Sequence, residues 1–91
     1  MAQESATLFG ELLQKRMDEL GLDIKATAEK CETTYEYVRK LVRGFQLPSK
    51  YMLKLICQSL GINQTEAEKA MVTDRIRMKF GKMPSIISDK N

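Results

Sequence analysis

The run CETTYEYVRKLVRG, residues 31–44, carries Tyr35, Glu36, Tyr37, Arg39, Lys40 and Arg43 close together. Guanidinium and ammonium groups donate charge-assisted hydrogen bonds to anionic oxygens, and Arg does so as a planar fork. Lys50 and Lys54 follow, so Tyr37 to Gln58 holds five basic residues and no acidic one. The net charge is only +3, which by itself selects no partner. Its segregation into one acid-free run is the feature that suits a polyanion. Arg75, Arg77, Lys79 and Lys82 form a second basic cluster.

Other chemistries are poorly provided for. There is no histidine, which removes the commonest general base and the commonest metal ligand. Two separated cysteines, Cys31 and Cys57, cannot make a zinc site alone. They read as reduced thiols packed as small apolar residues. None of the five glycines builds a phosphate loop. The expectation is a protein that is not an enzyme and needs no cofactor or metal. No basic-then-apolar leader opens the chain, and no apolar run approaches the ~20 residues of a membrane span. A cytoplasmic protein with no membrane partner is expected.

Helices must position these groups. Apolar residues recur at helical spacing throughout, which predicts an all-α fold of five helices in one domain, residues 5–80. Residues 81–91 read as a flexible tail. Ser5 is placed as the cap of a first helix reaching Leu20, with Phe9, Leu12, Leu13 and Leu20 inward and Gly21 at its end. Asp23 caps a short second helix whose inner face, Thr27, Ala28 and Cys31, is small. Thr34 caps a third helix that ends at Gly44, with Val38, Leu41 and Val42 as its buried stripe. The short link between the second and third helices forces a sharp crossing, the geometry of a helix-turn-helix. Pro48 is placed in the first turn of a fourth helix with Leu53, Ile56, Cys57 and Leu60 as its seam, closed by Gly61. Asn63 caps the fifth, with Glu66 as capping-box partner.

The fifth helix has two apolar faces. Ala67, Ala70, Met71 and Met78 share one, and Val72, Ile76 and Phe80 lie almost opposite. A helix closing a small domain needs only one such face. Val72, Ile76 and Phe80 are therefore candidates for a homodimer interface. The competing reading is a bend near Thr73–Asp74 that folds both stripes onto one core.

The run GLDIKATAEKCETTYEYVRKLVRG, Gly21 to Gly44, resembles the lambda-repressor-like DNA-binding domains of the Cro/XRE type. Ala28 stands at the family's small-residue position, Thr34 at its Ser/Thr cap, Val38 and Leu41 at its buried aliphatics, and Arg43-Gly44 at its closing pair. The runs PSKYMLKLICQSLGI and NQTEAEKA match its fourth and fifth helices. The likeness spans about Phe9 to Met71. It implies a compact five-helix domain with the helix-turn-helix at helices 2 and 3, and a bacterial or phage transcriptional regulator of repressor type. Three departures from the family's pattern involve four positions. Ile24 replaces a phosphate-touching Gln, Glu32 a turn glycine, and Met17 with Val42 an Arg–Glu ion pair.

In such a fold the third helix enters the major groove of double-stranded DNA. The resemblance then implies base contacts from Tyr35, Glu36, Arg39 and Lys40. Glu36 can accept from cytosine N4, Arg39 or Lys40 can donate to guanine, and Tyr35 can meet a thymine methyl or donate its hydroxyl to a phosphate. It implies phosphate contacts from Thr34, Tyr37, Arg43, Lys50 and Lys54. Phe45 and Leu47 stand where polar residues are usual, and either pack beneath the loop or meet a partner. Two rival readings remain open on the same fold: a protein-interaction module without specific DNA reading, and the antitoxin of a toxin–antitoxin pair.

Overall fold

The structure, a computed structural model, describes residues 6–81, with side chains described as far as Lys79. Five helices follow in order: α1 Leu8–Leu20, α2 Ile24–Lys30, α3 Tyr35–Arg43, α4 Lys50–Leu60 and α5 Gln64–Gly81. No strand occurs among the described residues. α1 packs on α3 and α5, α2 on α3, and α4 on α5. Gly81, read from sequence as the start of the tail, still belongs to α5, and the remaining tail lies outside the described residues.

Local chemistry sets most boundaries. Asp23, Thr34 and Asn63 each accept a backbone N–H three residues on, at 2.7, 3.1 and 2.9 Å, as cap residues do. The sequence assigned the α4 start to Pro48, but Ser49 is the cap, accepting from the Met52 N–H at 3.1 Å. Pro48 stands one residue earlier and is buried. At the other end of α3, Gly44 has φ 83°, and a Cβ there would stand 2.7 Å from the Ala6 backbone nitrogen. The Ala6 N–H donates to the Arg43 carbonyl at 3.2 Å, so the segment before α1 runs directly over that glycine.

The α1 cap differs from the sequence reading for a non-local reason. Ser5 lies outside the described residues, and Thr7 is the cap, its hydroxyl accepting from the Gly10 N–H at 2.9 Å. The two N–H groups in between are satisfied from the far end of the chain. Asp74 accepts from Leu8 through Oδ1 and from Phe9 through Oδ2, both at 2.8 Å. A helix N-terminus has orphan donors and a partial positive charge, and a carboxylate answers both. Asp74 is itself buried.

Phe9, Leu13, Met17, Val38, Leu41, Val42, Leu53, Ile56, Leu60, Ala67 and Met71 form one core. Leu20, expected on the inner face of α1, is 39% exposed. Met17 and Val42 are both buried, so the positions of the usual ion pair are apolar together and leave no unpaired charge. Cys31 and Cys57 are buried free thiols, and burial pushes both pKa values up. The helix-two link closes through Glu32 at φ 57°, the non-glycine residue with positive φ among the described ones. Its N–H donates to the Glu29 carbonyl and that of Thr33 to the Ala28 carbonyl, the crossed closure that usually selects glycine.

α5 runs without interruption through Thr73 and Asp74. The bend of the competing reading does not interrupt it, and the two stripes do not share a core. Ala67, Met71 and Asp74 face inward, while Val72 and Ile76 are 55% and 54% exposed. Met78, grouped from sequence with the inner face, is exposed as well. The side chain of Phe80 lies outside the described residues.

Candidate nucleic-acid interface

α3 has its inner flank closed by Val38, Leu41 and Val42, all buried. A helix with one apolar stripe must turn its polar residues outward. Tyr35, Glu36 and Arg43 are exposed, and Arg39 and Lys40 are partly exposed beside them. Lys50 and Lys54 are exposed on α4, with Lys50 its first residue. The residues singled out from the sequence are thus accessible on two successive helices, Tyr37, Arg39 and Lys40 only in part.

Tyr37 packs against the core, and its hydroxyl lies near the backbone of Ser49, the α4 cap. Burial raises its pKa and the Ser49 contact opposes the rise. The ring thereby stands at the junction between α3 and the start of α4.

Glu36 and Arg39 form a side-on pair. Arg39 Nε donates to Oε1 at 3.3 Å, and an Nη group donates to Oε2. The hydrogen bond from Arg39 holds the Glu36 carboxyl below its usual pKa, and Glu36 raises that of Arg39 in return. The guanidinium also lies over the Phe45 ring, 5.9 Å from its centroid. Phe45 therefore does not pack beneath the loop. Its ring is 64% exposed and sits against the polar flank of α3, whereas Leu47 is the loop residue that packs on the core.

Two features escaped the sequence reading. Tyr51, in the first turn of α4 beside Lys50, is 73% exposed. A hydrophobic ring placed in a first helical turn before any seam residue was a usable signal. The i,i+3 spacing of Glu36 and Arg39 likewise signals an ion pair. Ile24, standing where a phosphate-touching Gln is common, is partly buried against the core. Among the described residues no group of His, Cys, Asp and Glu side chains is placed to hold a metal ion, and no helix is long and apolar enough to cross a membrane.

Comparison with known proteins agrees with this architecture. The family model for helix-turn-helix proteins matches residues 12–73. Two crystal structures of the clp gene regulator ClgR from Corynebacterium glutamicum share the fold. One superposes with a TM-score of 0.61 at 22% identity, covering 71% of this chain and 84% of that chain. The other has a TM-score of 0.61 at 19% identity, covering 85% and 83%. No protein of curated function matches the chain.

Proposed function

The chain belongs to the Cro/C1-type helix-turn-helix family of DNA-binding regulators, and from that premise we propose that it is a sequence-specific, repressor-type transcription factor that reads operator DNA with α3. The observation that carries the reading is the acid-free set Arg39, Lys40, Arg43, Lys50 and Lys54, held accessible on α3 and α4 while the opposite flank of α3 is buried. Tyr35, Glu36, Arg39 and Lys40 face base edges in the major groove. Arg43, Lys50 and Lys54 neutralise phosphates, and Thr34 offers the N-terminus of α3 to another. Tyr37, partly buried with its hydroxyl near the Ser49 backbone, offers its hydroxyl proton to a phosphate at the α3–α4 junction.

The protein acts as a homodimer through the outer face of α5. Val72 and Ile76 support this: they are exposed on a continuous helix whose other face already closes the core. A two-fold dimer reads an approximately palindromic site with half-sites about one helical turn apart. Occupancy of such a site blocks competing proteins, which is repression in its simplest form.

Selection of bound duplexes from a random pool tests the proposal. The wild type is expected to enrich a palindromic sequence, and Arg39→Ala or Lys40→Ala to relax it at particular positions. A pool that stays unenriched after repeated rounds contradicts sequence-specific reading.

A further inference from the structure

We propose that Glu36, Arg39 and Phe45 form one guanine-reading unit, in which Arg39 contacts the base while Glu36 and Phe45 are positioning residues that hold the guanidinium in reading geometry. The inference rests on the DNA-reading role proposed above and deepens it.

The geometry of the fork carries the argument. A guanidinium has five N–H donors. Glu36 takes the Nε–H and one N–H of the adjacent Nη group. Three donors remain: the second N–H of that Nη group and both on the other. These are the end-on donors, the set that matches guanine O6 and N7 in the major groove. The Glu36 contact therefore does not compete with base reading; it consumes the side of the fork that reading leaves idle. The Phe45 ring, its centroid 5.9 Å from the guanidinium carbon, supplies a second constraint. The cation is attracted to the face of the ring while its edge donors stay free.

A free Arg side chain must freeze several torsions when it binds, and that cost weakens discrimination between bases. Here two neighbours have reduced that freedom before DNA arrives. Glu36 also changes role. With both carboxylate oxygens engaged by Arg39, it steers the guanidinium instead of accepting from cytosine N4. A carboxylate near the phosphates lowers general affinity, so its presence favours selectivity over strength. Phe45 finds its use here too, as an exposed ring that would otherwise be wasted on solvent.

The test uses the duplex that the full-length wild-type protein selects, and the same duplex with 7-deazaguanine at each guanine in turn, which removes the N7 acceptor. Binding is measured by fluorescence anisotropy for wild type, Arg39→Ala, Glu36→Gln, Phe45→Leu and Phe45→Tyr, with circular dichroism melting to confirm folding. At one guanine per half-site the wild type should weaken by roughly 5- to 100-fold, and Arg39→Ala should be indifferent to the same change. Glu36→Gln and Phe45→Leu should lose most of that discrimination while binding random duplex at least as well as wild type. Phe45→Tyr, which keeps the ring face, should retain it. Wild-type indifference at every guanine, or full sensitivity in Arg39→Ala, overturns the role of Arg39. Undiminished discrimination in Glu36→Gln and Phe45→Leu overturns the positioning roles. Absence of any salt-sensitive duplex binding by the wild type is a separate outcome that sinks the DNA-reading proposal itself.

Discussion

Replacing Asp74 should unfasten the first helix from the last. Its two oxygens accept from the Leu8 and Phe9 N–H groups, 2.8 Å each, across a sequence separation of more than sixty residues. Hydrogen bonds to charged groups contribute about 1.5–3 kcal/mol each, and a buried donor left without a partner carries its full desolvation cost. The Phe9 bond is buried, whereas the Leu8 bond is only partly so, and water can replace it in part. Asp74→Ala should therefore cost about 3–5 kcal/mol. Asp74→Asn keeps one carbonyl acceptor and should cost about half as much. A domain of this length has a total stability of roughly 5–14 kcal/mol, so the alanine variant loses a large share of it. Equilibrium urea denaturation reads the effect as a lower midpoint with an unchanged slope. Thr7→Ala, which removes a neighbouring cap at the same helix end, should cost about 1 kcal/mol, and the two changes should not add. The reasoning is refuted if Asp74→Ala stays within about 1 kcal/mol of wild type, the ordinary range of a single substitution, or if Asn and Ala behave alike.

Three other outcomes are expected. Glu32→Gly should stabilise the fold by about 0.5–1 kcal/mol, because the left-handed backbone at φ 57° is strained for glutamate and open to glycine; a lower urea midpoint contradicts this. Val72→Asp with Ile76→Asp should leave the helical content and monomer fold unchanged but convert a dimer to monomer in sedimentation equilibrium, since both side chains are exposed within one protomer. Stability should also fall in alkali. Burial raises the folded-state pKa of Cys31 and Cys57, so the unfolded chain releases those protons first. The contribution is complete below the unfolded thiol pKa, about 8.5, and is lost as pH rises above it toward the folded values. Urea midpoints measured from neutral pH upward should decline across that window for wild type and less for Cys31→Ala with Cys57→Ala.

Much of the fold is legible in the sequence because helix ends are signalled locally. Asp23, Thr34, Asn63, Gly21, Gly44 and Gly61 act within a few residues of themselves, and each does what its type and position suggest. The buried stripe of α3 follows from spacing alone. The misreadings have a different origin. Ser5 and Thr7 are chemically similar caps, and what decides between them is a carboxylate near the other terminus. A segment's periodicity cannot show that Asp74 faces inward, because an acidic residue on a surface helix is normally solvated. The outward position of α5's second stripe needed the packing of the helix's other face on the core. At the interface, the accessible cations were readable as a run, but the Glu36–Arg39–Phe45 constellation spans α3 and the loop beyond it and required coordinates.

The central claim, that the α3–α4 face meets a nucleic-acid backbone, is tested most directly by the salt dependence of binding to random-sequence duplex. Each neutralised phosphate contributes about 0.9 to the slope of log affinity against log salt concentration. With Arg43, Lys50 and Lys54 on phosphates, the slope should be about −2.7 per protomer and about −5 for a dimer. Lys54→Ala should lower that by about one for each protomer bound. A slope near zero, or one that Lys50→Ala and Lys54→Ala leave untouched, contradicts the account.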